Sequence, residues 1–156
     1  SISESIAQNI AVSDGEIDVD KLEKAARIAC IHDYVMSLPL KYNTKIGRDG
    51  VGLSQGQKQR ILIARAVYKD PDFIFLDEAT NSLDAKNERE IVENLDRFYT
   101  GRTVVIVAHR LSTVKNADQI VVIDNGHIVE KGNHATLIAK KGAYYELVKN
   151  QLELGN

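Results

Sequence analysis

The stretch LSQGQKQRILIARAVYKDPDFIFLDEATNSLD, residues 53–84, decides how the chain folds. It holds a glycine-containing turn that opens a helix, a short apolar run that ends in two acids, and a second turn that opens another helix. Phe73, Ile74, Phe75 and Leu76 follow Pro71 and Asp72 without a polar interruption. Such a run suits a strand covered on both faces, as in a parallel sheet between helices. It ends in Asp77 and Glu78, at the strand end where open α/β sheets place their ligands. Adjacent strand residues point to opposite faces, so the two acids are expected to do different work. One suits Mg²⁺, directly or through water, and the other suits a water nucleophile. Taken alone, a solvated acid pair capping a strand would look the same.

The turn Leu53–Gln57 carries Ser54, a good helix N-cap, and Gly56, which lets another backbone or a ligand come close. A helix is predicted from Gln57 to about Lys69, with Ile61, Leu62, Ala64 and Val67 at helical spacing. Free N–H groups, a hydroxyl and a glycine at a helix start form a phosphate-binding device. An ordinary capped helix has the same appearance.

Four segments in order and spacing are more specific than any one of them. LSQGQ (53–57), FIFLDEAT (73–80), NSLD (81–84) and VAHR (107–110) resemble the signature motif, Walker B strand, D-loop and switch histidine of the ATP-binding-cassette (ABC) ATPase domain. The likeness covers nearly the whole chain and is nearest the exporter branch, with similarity to bacterial exporters that carry a peptidase domain. It implies an α/β fold: a partial P-loop NTPase sheet with a helical subdomain and without the phosphate-loop half. On that model residues 13–69 form the helical signature subdomain, 70–132 the catalytic-core strands and 133–156 the C-terminal helices.

In the family two such domains sandwich two nucleotides head to tail. The resemblance therefore implies that Ser54, Gln55, Gly56 and Gln57 bind the nucleotide held by a partner domain. It implies that Glu78 polarises the attacking water, that Asp77 serves Mg²⁺ through water and that His109 contacts the γ-phosphate, beside the Asp77/Glu78 strand tip. Ser82 and Asp84 fall in the D-loop, which crosses the dimer interface. Gln55 stands where the family commonly has glycine, so this turn must accept a side chain.

A nucleotide hydrolase of this kind needs the loop G-x-x-x-x-G-K-[ST], which cradles the phosphates. No such pattern occurs in these 156 residues. The chain is therefore expected to be the C-terminal part of an exporter's ATPase domain, inactive alone, and its start at Ser1 fits a fragment. The resemblance implies ATP and Mg²⁺ as ligands, a transmembrane domain and a second ATPase domain as partners, and the cytoplasmic face of a bacterial inner membrane as the location. In the family the phosphate-loop strand neighbours residues 104–107, so that edge is expected to be bare and prone to pairing with another copy. ATPases of DNA repair and chromosome organisation share the signature, but they carry a long coiled-coil insertion before it. The segment before Leu53 is short and no basic patch appears. A non-catalytic interaction module is the third reading.

Composition agrees with one soluble globular domain, at 44% hydrophobic and 27% charged residues. A net charge of −2 gives no reason to expect nucleic acid as a partner. The lone Cys30 cannot form an internal disulfide and is expected in a helix core. No apolar run approaches the roughly 18 residues of a membrane span.

The rest of the chain gives weaker signals. Ile2, Ile6 and Ile10 repeat every four residues and suggest a short first helix or helical turn. Asp18 or Asp20 caps a second, Asp20 with Glu23 as a capping box, running to about Ser37 before Pro39. His32 is expected late in that helix as a structural residue. Residues 40–51 form a glycine-bearing loop; the exporter segment that Lys45–Gly50 resembles approaches the opposite subunit's membrane domain, and a solvated loop would look the same. Ile91, Leu95 and Phe98, with Val92 and Tyr99 beside them, mark the buried stripe of a helix that Gly101 ends, and TVVIVA (103–108) is a second buried strand. Leu111–Lys115 is a short helix with Ser112 as its cap. Asn125–Gly126 turns a hairpin, with His127 on its solvent face. Asn133 or Thr136 starts a terminal helical pair, interrupted at Gly142, whose apolar side is Leu137, Ile138, Tyr144, Tyr145, Leu147, Val148 and Leu152.

Overall fold

Local capping sets where the first helices start. In this computed structural model, which describes residues 4–12, 15–77 and 85–153, Ser5 caps α1 (Ile6–Ala11) and exchanges two hydrogen bonds with Gln8. Asp18 caps α2 (Val19–Ile28), accepting from the Lys21 N–H at 3.1 Å. Asp20 is therefore not a cap; it sits in the first turn, where its charge suits the helix dipole.

The expected single helix to Ser37 is two helices. Cys30 takes a left-handed backbone conformation, φ 57°. The Cys30 N–H donates to the Arg27 carbonyl and the Ile31 N–H to that of Ala26, closing α2. The chain restarts as α3 (His32–Ser37). Ile28, Ala29 and Ile31 are all buried around this bend. His32 thus opens a helix instead of ending one. It is buried, as a structural residue should be, with Nδ1 2.6 Å from the Tyr42 hydroxyl. Cys30 sits at the joint, half-buried, not inside a helix.

Ser54 caps α4 (Gln55–Tyr68), which buries Ile61, Ile63, Ala64 and Val67 and leaves Leu62 about half exposed. β1 (Phe73–Asp77) and β2 (Thr103–Val107) pair in parallel, Phe73 with Thr103 through Asp77 with Val107. Ile74, Leu76 and Val104 face the helices. Phe73 is 50% and Phe75 57% exposed, and Val105 and Val107 on the same side are also exposed. Coverage on both faces is thus not met among the described residues, because the helices of this unit pack against one face only. The Tyr99 hydroxyl donates to the Pro71 carbonyl, and Arg102 bridges Asp70 and Asp72, holding the strands' entry ends together.

α5 (Ala85–Phe98) buries Ile91 and Leu95, and Tyr99 after it is buried as expected, but Phe98 is exposed. Gly101, at φ 78°, turns the chain towards β2. Ile6, Ile10, Leu22, Ala26, Ile61, Ala64, Ile74 and Ile91 share one core, so four helices and β1 stand on common packing.

The chain divides after Val107 into a second compact unit. It begins with α6 (Leu111–Val114), whose cap position is Arg110, with Ser112 inside the helix. β3 (Ile120–Asp124) and β4 (His127–Gly132) form an antiparallel hairpin, with Asn125 and Gly126 both at positive φ as a primed turn requires. His127 is exposed. Asn133 caps α7 (His134–Lys140), and α8 (Ala143–Glu153) follows Gly142. Ile120, Val122, Leu137, Tyr144 and Val148 make this unit's core. Leu147 and Leu152 are exposed, contrary to the apolar side expected for them.

Candidate functional site

The best-defined candidate is the start of α4. The Ser54 Oγ accepts from the Gln57 N–H at 3.1 Å, and the Gln57 Oε1 accepts from the Ser54 N–H at 2.8 Å. The helical ladder then begins with the Lys58 N–H on the Ser54 carbonyl. Of the N–H groups that a helix start cannot satisfy itself, those of Gln55 and Gly56 remain. They project from an exposed turn together with the Ser54 hydroxyl, whose proton is still available to donate. A positive dipole end, two N–H groups and a hydroxyl make an anion-binding surface. The capping box also shows how Gln55 is tolerated where glycine was expected: it enters the first helical turn with its side chain exposed.

Two arginines that the sequence left unremarked fasten this helix. Arg60 donates from Nε to the Gly56 carbonyl at 3.3 Å and from Nη1 to the Cys30 carbonyl at 3.2 Å. Its guanidinium thus joins the first turn of α4 to the α2–α3 joint. Arg65 donates from Nε to the Asn9 carbonyl at 2.7 Å, tying α4 to α1. On sequence alone both look like ordinary helical charges; only the tertiary arrangement assigns them carbonyl partners. Beneath the joint, the Cys30 thiol is pushed up to about 11, first by burial and then by the charge of Glu90, its neighbour at 3.7 Å.

The loop before the turn is ordered by backbone bonds. The Ile46 N–H donates to the Glu4 carbonyl, the Ile6 N–H to that of Thr44 and the Val51 N–H to that of Lys45. The segment ahead of α1 and the 44–51 loop therefore form one surface.

Asp77 ends β1, half-buried and opposite Val107 in the strand register. Beyond Val107 the chain enters the second unit, where His109 is exposed. Gln151 of α8 donates from Nε2 to the His109 carbonyl at 2.7 Å and accepts the Leu111 N–H at 3.0 Å. The structure thus brings Ser54, Gln55, Gly56 and Gln57 together, while Asp77 and His109 belong to different units. Glu78, Ser82 and Asp84 lie outside the described residues. Among the described residues no group of three or more His, Cys, Asp or Glu side chains is placed to hold a metal, and no helix is long and apolar enough to cross a membrane.

Comparison with known proteins gives one answer. A family model described as ABC transporter matches residues 2–81, just over half of the chain. The ATP-dependent lipid A-core flippase of Saccharophagus degradans is 49% identical over 149 residues, covering 96% of this chain and 25% of that protein. The exotoxin translocation ATP-binding protein PaxB of Pasteurella aerogenes is 46% identical over 153 residues, covering 97% of this chain and 21% of that protein. A solved bacterial Atm1-family ABC exporter with ATP bound shares the fold, with a TM-score of 0.83 and 38% identity, across 96% of this chain and 26% of that one. The chain spans about a quarter or less of the length of these relatives. With a fold shared over nearly its whole length and a family match over residues 2–81, the chain belongs to the ABC transporter family.

Proposed function

We propose that this chain supplies the signature, Walker B and switch-histidine part of the ATP-hydrolysing motor domain of an ABC exporter. The observation that carries the reading is the start of α4, where the Ser54–Gln57 capping box leaves the Gln55 and Gly56 N–H groups and the Ser54 hydroxyl turned outward. That surface suits the γ-phosphate of a nucleotide held by a second ATPase domain, and the exporter sharing this fold was solved with ATP. Closing two domains on two nucleotides would then drive an attached membrane domain, from the cytoplasmic face of the membrane.

In this reading Glu78 accepts a proton from the attacking water, and His109 donates to the γ-phosphate as charge builds there. Mg²⁺ would neutralise phosphate charge. It commonly keeps several waters and takes only one or two protein carboxylates, so the single half-buried carboxylate of Asp77 fits it. Ser82 and Asp84 serve the contact between the two domains. Because the sequence holds no G-x-x-x-x-G-K-[ST] loop, the phosphate-gripping pocket comes from another stretch of polypeptide.

Calorimetry of the 156-residue chain with MgATP is expected to give no micromolar binding, whereas a transporter containing the chain hydrolyses ATP. In that transporter Ser54→Arg fills the anion surface and should abolish hydrolysis. Glu78→Gln should abolish hydrolysis while leaving nucleotide binding intact. Wild-type turnover in either variant would refute the reading.

A further inference from the structure

We propose that Gln151, at the far end of the chain, is a positioning residue for His109. The inference rests on the role proposed above for that histidine. The amide of a glutamine is one of the few side-chain groups that offers a donor and an acceptor side by side. Here both are used on one short segment: Nε2 donates to the His109 carbonyl at 2.7 Å, and Oε1 accepts the Leu111 N–H at 3.0 Å. Arg110 between them is extended, φ −115° and ψ 134°. In extended backbone the carbonyl of one residue and the N–H two residues on point the same way, which is how one strand reads its neighbour. Gln151 therefore grips this segment as one residue of an adjacent parallel strand would, with a donor for the carbonyl and an acceptor for the N–H.

The grip has a rigid base. Tyr144, Val148 and Gln151 follow at i, i+4 and i+7 on α8, and the first two are buried in the core of this unit. The amide is carried on the packed face of its helix, while Leu147 and Leu152 lie exposed. Fixing the His109 carbonyl fixes ψ at that residue. Fixing the Leu111 N–H starts α6, whose cap residue Arg110 makes no side-chain cap bond of its own. Between them the two bonds set where the His109 Cα–Cβ vector points.

The test uses a transporter containing this chain. Gln151→Leu, which is apolar and of similar bulk and loses both bonds, is expected to lower kcat for ATP by about tenfold to a hundredfold, as small misplacements of catalytic groups do, with KM nearly unchanged. Gln151→Glu keeps an acceptor for the Leu111 N–H but cannot donate to the His109 carbonyl. It should fold with the Leu111 amide still slow to exchange hydrogen and yet show the same kcat loss. The decisive comparison is with His109→Ala: the double variant His109→Ala/Gln151→Leu should be no slower than His109→Ala alone. Multiplying losses would assign Gln151 a merely structural role, and wild-type kcat in Gln151→Glu would overturn the proposal. If His109→Ala itself left kcat unchanged, the functional reading would fall and this inference with it. If His109→Ala were impaired while Gln151→Leu was not, the inference alone would fall.

Discussion

Arg65, in the last turn of the helix that Ser54 caps, donates its Nε–H to the backbone carbonyl of Asn9 at 2.7 Å. Asn9 lies in the last turn of α1, where carbonyls have no partner within their own helix. The guanidinium satisfies an acceptor that would otherwise lose its water on packing, and it does so with a charge-assisted bond. Arg65→Leu should therefore cost about 2 kcal/mol, the range for a partly buried carbonyl losing a charged donor. Urea unfolding with an unchanged m-value would measure it. A loss below a few tenths would mean that water replaces the guanidinium freely.

Cys30 gives a kinetic prediction. Burial, then Glu90, lifts its thiol from 9.0 to about 11, so at pH 8 its thiolate fraction is about a hundredfold below that of a thiol at the reference value. Alkylation by iodoacetamide should be slower by a similar factor. Glu90→Gln removes the second cause and should speed labelling, while Asn94→Ala removes a donor 3.5 Å from the sulfur and should slow it. Labelling at the rate of a free thiol would show that the α2–α3 joint opens readily.

Tyr42 predicts a pH window. Burial first, and the charge of Glu23 second, push its phenol up from 10.0 to about 12. The folded state therefore holds the proton where the unfolded chain gives it up. This group's contribution to stability is complete below about pH 10 and is lost as pH rises from about 10 to about 12. Tyr42→Phe removes the titration. It also leaves the His32 Nδ1 without its partner at 2.6 Å, at a cost of about 1 kcal/mol near neutrality. The gap between wild type and Tyr42→Phe should then narrow as pH rises through that window, measured by denaturant unfolding at fixed salt. A constant gap would assign the effect to packing alone.

These residues also show what could be read before the structure. The Ser54 cap was legible because the donor and acceptor that satisfy each other lie three residues apart in sequence. The Asn125–Gly126 hairpin was legible because both residues tolerate the positive φ that the turn needs. The α2–α3 break was not, since Cys30 carries no turn signal and takes its left-handed conformation to satisfy packing around Ile28 and Ile31. The open face of the β1–β2 pair was hidden for the opposite reason. An unbroken run such as Phe73–Leu76 has no alternation to say which face lacks a cover. Gln151 was invisible because its partner is 42 residues away and a polar residue on a terminal helix looks like a solvated one.

The start of α8 offers the last prediction. The Glu130 carboxylate, on β4, accepts the Tyr144 N–H at 3.0 Å through Oε1, while its Oε2 is buried with no hydrogen-bond partner. A Cβ at Gly142 would stand 2.6 Å from that Oε1. Gly142→Ala must therefore displace the carboxylate that holds the first turn of α8, and it should cost about 1 kcal/mol, the usual price of a lost cap. Glu130→Ala removes the same bond from the other side by a similar amount. If the clash is the cause, the cost of Gly142→Ala will shrink in the Glu130→Ala background, giving a coupling of at least about 0.5 kcal/mol in the double-mutant cycle. Additive losses would mean that Gly142 is needed for its own backbone and not for the room it leaves Glu130.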